Sequence, residues 1–171
     1  EAHRLESLEQ VQRGNYLSYD DNQEEADALM KREITKGYAH WAPKRETLEE
    51  RVGELVPSRI GVVVKTKADG TNKYRLVHDL RMSGVNAGID LEERIVLPRL
   101  ADGVDGCLDL MEFCKAGETV EWMVLDFRDA FKMLRVRDRE KRFLAGAALG
   151  GWFVYDTVLF GVTTGPLVWG R

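Results

Sequence analysis

The sequence contains few of the residues that cross-link small domains or cross membranes. Only two of its 171 residues are cysteines, Cys107 and Cys114, and no histidine or cysteine pair beside them completes a zinc motif. No apolar run approaches the roughly 20 residues that a membrane helix needs. Disulfide scaffolds, zinc modules and contact with a membrane are therefore not expected. Reduced thiols indicate an intracellular protein, with cytoplasm and nucleus left open.

The composition is that of a folded domain. Hydrophobic residues make up 44% of the chain and charged residues 32%, which is enough apolar material for a core and argues against disorder. The first residues include Glu1, His3 and Arg4 and no apolar run, so no signal peptide is expected. Because the chain starts at Glu1 and not at methionine, we expect it to be part of a longer protein.

Charge is uneven along the chain. The net charge is −4, which taken alone argues against nucleic-acid binding. However, residues 57–86 carry six basic and two acidic groups, and residues 127–171 carry eight and four. The stretches 1–56 and 87–126 are acidic. The two basic blocks either line one cleft or are separate solvated surfaces.

Hydrophobic periodicity predicts helices mixed with hairpins. Helices are predicted over Asp21–Ile34, Thr47–Leu55 and Ala101–Phe113, with helical character over Asp129–Leu134 and at Pro166. Strands are predicted over 60–64 and 74–77, joined by an Asp-Gly turn, and over Thr119–Leu125, 143–145 and 152–155. Since hairpins replace regular βαβ alternation, the predicted fold class is α+β.

Asp126 is the most conspicuous candidate for chemistry. It follows the predicted apolar strand, where a carboxylate can meet ions at the edge of the core. A single hard oxygen ligand there suits Mg²⁺. The alternative is a turn or capping aspartate, and Asp129 before Ala130 can likewise simply start a helix.

Two groups of cations are further candidates. Alternation along the predicted hairpin places Lys65 with Lys67, and Lys73 with Arg75, on one face of their strands. They could clamp a triphosphate, or could protect an edge from aggregation. The run Arg135–Arg142 could follow a nucleic-acid backbone, but its interspersed acids favour a solvated helix face.

Read in order, these segments resemble the polymerase domain of retroviral and long-terminal-repeat retrotransposon reverse transcriptases. The resemblance covers about residues 56–171 and consists of four motifs: Lys67-Ala68-Asp69-Gly70 with Tyr74–Arg81 and Asn86, then Leu97–Leu100, then Val124–Phe131, then Phe160-Gly161 with Pro166 and Trp169. Each motif alone is weak, whereas four in order at plausible spacing form a specific pattern.

The resemblance implies part of a right-hand polymerase. Residues 1–20 would be an N-terminal helix or tail, 21–118 the fingers and their connection to the palm, and 119–171 the first part of a palm that is incomplete at its C-terminus. The implied activity is RNA-directed DNA polymerisation, a nucleotidyl transfer from dNTPs onto a primer paired with an RNA or DNA template. The oligomeric state stays open.

The same resemblance implies roles for individual residues. Asp126 would be the catalytic carboxylate and would bind two Mg²⁺ ions, with the carbonyl of Phe127 binding one of them. Phe131 would exclude a 2′-hydroxyl from the sugar site. The remaining implied dNTP-binding residues are Lys67, Arg75, Asp129, Ala130, Phe160 and Gly161.

The chain departs from the family's pattern in three respects. Leu159 replaces a frequent proline, and Phe160 favours the retrotransposon branch over the retroviral one. Lys65 replaces Lys67 as the triphosphate lysine if the turn is longer. No Asp-Asp pair follows Asp126, so the second carboxylate motif is missing, and the 171 residues alone are expected to be inactive. The alternative is a non-catalytic polymerase-like remnant that binds nucleic acid or acts as a scaffold.

Overall fold

Helices and short antiparallel strands alternate in the computed structural model, which describes residues 13–93 and 96–170. The helices are α1 (Leu17–Asp20), α2 (Gln23–Thr35), α3 (Arg45–Val52), α4 (Leu100–Met111), α5 (Asp138–Lys141) and α6 (Gly165–Trp169). The strands are β1 (Ala39–Ala42), β2 (Ile60–Thr66), β3 (Asn72–His78), β4 (Ala145–Ala148) and β5 (Gly151–Tyr155). Single 3₁₀ turns cover Asn86–Gly88 and Ala130–Met133. The predicted α+β class is confirmed.

The chain divides into two compact units. One contains residues 1–90 and 129–171, and the other contains residues 91–128. Of the helix or tail predicted over residues 1–20, positions 1–12 lie outside the described residues, and Leu17–Asp20 is a helical turn. The division of the chain into fingers and palm stays a prediction. No helix among the described residues is both long and apolar enough to cross a membrane.

A three-stranded antiparallel sheet with the order β1-β5-β4 lies at the centre of the larger unit. The predicted strand over 152–155 is confirmed as β5. The strand predicted over 143–145 begins only at Ala145 and continues to Ala148 as β4, and a tight turn at Leu149 and Gly150 joins the two strands. Strand β1 was not predicted, because its sequence, Ala39-His40-Trp41-Ala42, has neither an alternating pattern nor a β-branched residue. It forms through pairing with β5, in a register that places Trp41 opposite Phe153.

The predicted hairpin forms as β2 and β3, and each strand is longer than the sequence indicates. Ile60 pairs with His78 at the base and Thr66 pairs with Asn72 beside the turn. The outer edge of β2 is covered by the preceding chain, since the Tyr16 N–H donates to the carbonyl of Ile60 (3.0 Å) and Ser18 Oγ accepts from the Val62 N–H (3.1 Å). Covering an edge in this way prevents pairing with other chains.

The main core lies where helix α2, the hairpin and the central sheet meet. Phe153 and Tyr155 are fully buried, and their rings meet edge to face with centroids 5.6 Å apart. From α2, Met30 is buried against this cluster, and Ile60 of the hairpin and Leu80 complete it. The buried residues of α2, Ala26 and Met30, lie four positions apart, which is the spacing of one face of a helix.

In the smaller unit, one predicted helix forms and one predicted strand does not. Helix α4 forms as predicted, but residues 119–127 adopt no strand. A strand requires a hydrogen-bonding neighbour, and no described residue pairs with this segment. Its apolar side chains are accordingly exposed, among them Val124 and Leu125. The ring of Trp122 packs closely on α4 at Gly103, where an added Cβ would lie 3.0 Å from it.

Candidate functional site

The hairpin places four cations on one face. Lys65 lies directly opposite Lys73, and Val63 directly opposite Arg75. Residues paired across two strands point to the same side, as do residues two apart along a strand. Lys65, Lys73 and Arg75 therefore share a face, and so does Lys67, whose N–H donates to the carbonyl of Thr71 (2.8 Å). All four side chains are exposed.

The register of the hairpin also determines which lysine, Lys65 or Lys67, lies nearer to Arg75. Lys65 is offset from Arg75 by two positions along β3, which is about 7 Å at the usual rise of a strand. Lys67 lies opposite Thr71, four positions from Arg75, or about 14 Å. Both lysines stay candidates, and Lys65 is the nearer one.

Residues from three of the four sequence motifs lie together at the base of the hairpin, near His78. The ring of Phe131 lies 5.9 Å from that of Phe160, centroid to centroid. The Asn86 side-chain amide donates to the carbonyl of Gly161 (2.9 Å), and its oxygen accepts from the Thr163 N–H (3.2 Å). Gly161 has φ +104°, a conformation that favours glycine. The predicted site residues Phe131, Phe160 and Gly161 thus form one cluster.

Asp129 and Ala130 begin the 3₁₀ turn that carries Phe131. Asp129 adopts a left-handed conformation with φ 55°, which aspartate tolerates better than most residues. Its carboxylate binds Lys36 Nζ at 2.6 Å, at the end of helix α2, and this hydrogen bond raises the pKa of Lys36. The contact fixes the start of the turn relative to α2. The sequence did not predict it, because the two residues are far apart in the chain.

A second cation in the same turn is largely buried. Lys132 pairs with Glu33 of α2 (2.8 Å) and lies 3.8 Å from the centre of the Tyr155 ring. Burial lowers the pKa of Lys132, and the charge and hydrogen bond of Glu33 oppose that shift. Nothing in the local sequence distinguished Lys132 from a surface lysine.

Two cations of the basic run Arg135–Arg142 form ion pairs with acidic side chains. Lys141 Nζ lies 2.7 Å from an Asp138 oxygen and 2.8 Å from an oxygen of buried Asp156. Arg139 pairs with Glu140 (3.1 Å). Ion pairs within the chain thus neutralise Arg139 and Lys141. Whether the run follows a nucleic-acid backbone or forms a solvated helix face stays a prediction.

Asp126 and Phe127 belong to the smaller unit, in the irregular segment that precedes Asp129. The Asp126 side chain is exposed. One carboxylate and one carbonyl fit a single Mg²⁺ that takes its other ligands from substrate phosphates and water. Within residues 13–93 and 96–170, no three histidine, cysteine or acidic side chains converge on a metal-sized site.

Comparison with protein-family models, with curated proteins and with solved structures finds no match to this chain.

Proposed function

We propose that the chain is the deoxynucleotide-binding part of a retroelement reverse transcriptase, an RNA-directed DNA polymerase whose complete form transfers nucleotides from dNTPs to a primer. The observation that carries the proposal is the convergence of Asn86, Phe131 and Phe160-Gly161. These residues come from three separate motifs, and chance matches scattered along a sequence have no reason to meet in one place.

The cationic face of the hairpin supplies the chemistry for a triphosphate. Arg75 presents a planar guanidinium that can donate two parallel hydrogen bonds to phosphate oxygens, and Lys65 or Lys67 adds a point charge. Phosphoryl-transfer enzymes depend mainly on such positioning and charge neutralisation. The Gly161 position lies at the base of this hairpin, since an added Cβ there would be 4.0 Å from the carbonyl of His78.

Phe131 is proposed to select the sugar. Its ring packs against Phe160 on one side and approaches Gly165, where an added Cβ would lie 3.5 Å away. A bulky aromatic ring at this position would exclude a ribose 2′-hydroxyl by steric overlap.

Metal binding is proposed only for the complete enzyme. Mg²⁺, when bound by Asp126 and the Phe127 carbonyl, would neutralise charge on the triphosphate. The second carboxylate motif that a two-metal site needs would come from the complete enzyme. The 171 residues alone are proposed not to extend a primer.

The test is the affinity of the chain for dATP with Mg²⁺, measured by titration calorimetry. Arg75→Ala removes charge-assisted hydrogen bonds to phosphate and is expected to weaken binding about tenfold. Lys65→Ala and Lys67→Ala, compared side by side, decide which lysine contributes, and the larger loss is expected for Lys65.

The matched control is Arg51→Ala, which removes an exposed arginine near the end of α3. It is expected to leave dATP affinity unchanged. The proposal would be contradicted by absence of dATP binding to the unaltered chain, or by Arg75→Ala and Arg51→Ala binding dATP equally well.

A further inference from the structure

Two ion pairs join the 3₁₀ turn that carries Phe131 to the end of helix α2. Lys36, directly after the helix, pairs with Asp129 at the start of the turn (2.6 Å). Glu33, in the last turn of the helix, pairs with Lys132 just beyond Phe131 (2.8 Å). The first pair is exposed to solvent and the second is largely buried. Along the chain, the backbone of Phe131 therefore lies between two contacts with α2.

The residues that follow α2 contact the same turn at further points. The Tyr38 ring lies near both lysines, with its centre 5.4 Å from Lys36 Nζ and 5.9 Å from Lys132 Nζ. Beyond the turn, Arg135 Nη1 donates to the carbonyl of Gly37 (3.3 Å). The end of α2 and residues 36–38 thus form a continuous support for the chain on both sides of Phe131.

The turn depends on such support, because its own backbone hydrogen bonds are few. The Lys132 N–H donates to the carbonyl of Asp129 (2.8 Å), and the Leu134 N–H donates to the carbonyl of Phe131 (3.2 Å). Hydrogen bonds of a 3₁₀ turn have poorer geometry than those of an α-helix. Asp129 also adopts a left-handed conformation, which in residues other than glycine persists where surrounding contacts hold it.

We propose that Lys36 and Glu33 are positioning residues for sugar selection, which hold the backbone of Phe131 in place without touching the nucleotide. The inference rests on the proposed function, because it concerns the sugar site assigned to Phe131. Overlap of a ring with a single hydroxyl depends on placement of the ring to within about 0.5 Å. A turn released from α2 would therefore lose selectivity for the sugar, while Arg75 on the hairpin would still bind the triphosphate.

The test compares the affinities of the chain for ATP and dATP, each with Mg²⁺, by titration calorimetry. Lys36→Met and Glu33→Gln are each expected to lower the preference for dATP from about tenfold to about threefold. ATP and dATP carry the same charge, so the loss of a charged side chain changes both affinities equally and leaves their ratio to report the sugar. Arg75→Ala is accordingly expected to weaken both nucleotides and to keep the ratio.

Two further variants of lysines serve as controls. Lys36→Arg keeps a cation that can pair with Asp129, so it is expected to retain the preference for dATP. Lys31→Met removes an exposed lysine from another face of the same helix and is also expected to retain it. Thermal melting verifies that every variant folds.

Hydrogen exchange measures the positioning of the turn without any nucleotide. In Lys36→Met, the N–H of Lys132 is expected to exchange about threefold faster than in the unaltered chain, because the turn opens more often. The N–H of Ser58, which donates to the carbonyl of Ala145 (2.9 Å), is the reference. Its exchange is expected to stay unchanged.

The inference is wrong for Lys36 or for Glu33 if the variant at that position keeps the full preference for dATP. It is also wrong if Lys31→Met loses as much of the preference as Lys36→Met, or if exchange at Lys132 is the same with and without Lys36. These results leave the proposed function intact, since the unaltered chain still prefers dATP. If the unaltered chain binds ATP and dATP equally, or binds neither, the proposed function fails and the inference fails with it.

Discussion

At the scale of single residues, the least expected feature is the buried ion pair of Lys132 and Glu33. It joins the 3₁₀ turn of Phe131 to helix α2, beneath the ring of Tyr155. A charge in such a place is tolerated only with its partner, because a lone buried charge loses hydration without compensation.

Lys132→Ala is therefore expected to destabilise the chain by about 3 kcal/mol, because it removes the cationic partner of the Glu33 carboxylate, which then keeps only the hydrogen bond from the Tyr155 hydroxyl. The double variant Glu33→Gln with Lys132→Met should recover much of that loss, since both charges are removed together. Urea unfolding measures the free energies. Equal stability of the single and double variants would contradict the buried-pair interpretation.

His78 is another buried titratable residue. Its ring meets Phe153 and Tyr155 edge to face, and Nδ1 is buried without a hydrogen-bond partner. Burial, followed by the nearby positive charge of Lys132, lowers the pKa of His78 to about 3. In the unfolded chain the pKa of histidine is about 6.5.

This difference in pKa predicts that the free energy of unfolding decreases as the pH is lowered. Between pH 6.5 and 3 the unfolded state binds a proton at His78 that the folded state does not, so acidification favours unfolding. The slope approaches about 1.4 kcal/mol per pH unit below pH 6. Urea unfolding at pH 7, 6 and 5 measures it, and His78→Gln is expected to flatten the curve. An equally steep curve in His78→Gln would show that other groups are responsible.

At the scale of elements, the sequence predicted what depends on local pattern. The hairpin followed from β-branched residues and an Asp-Gly turn, and helices α2 and α4 from apolar spacing. Strand β1 could not be predicted, because it exists only through pairing with the distant β5. The predicted strand over Thr119–Leu125 was wrong. Its residues have a high β-propensity, but among the described residues no strand pairs with them.

The pairing of β1 with β5 also predicts the effect of a substitution at Gly151 on stability. An added Cβ at Gly151 would lie 2.5 Å from the carbonyl oxygen of Ala42 and 2.7 Å from the ring of Trp41. Gly151→Ala must separate these strands and is expected to cost about 3 kcal/mol.

The control for this prediction is Gly88→Ala, where the added methyl meets nothing within 4 Å. Its stability, measured by thermal or urea unfolding, should stay within about 0.5 kcal/mol of the unaltered chain. If Gly151→Ala were as stable as Gly88→Ala, the proposed register of β1 and β5 would be wrong.

At the scale of the whole molecule, the candidate site was predictable only in part. Motif spacing identified Arg75, Phe131, Phe160 and Gly161 as candidates, and the fold brings the last three together. Lys36 and Lys132 were missed, because their partners are remote in sequence and neither residue belongs to a motif.

If the chain recognises deoxynucleotides, as we propose, it must distinguish deoxyribose from ribose. The measurement is the ratio of dissociation constants for ATP and dATP, each with Mg²⁺, for the unaltered chain, for Phe131→Val and for Phe113→Val, which alters an exposed phenylalanine of the smaller unit. We expect the unaltered chain to prefer dATP about tenfold, Phe113→Val to keep that preference and Phe131→Val to abolish it. Equal binding of ATP and dATP by the unaltered chain, or a preference that survives in Phe131→Val, would contradict it.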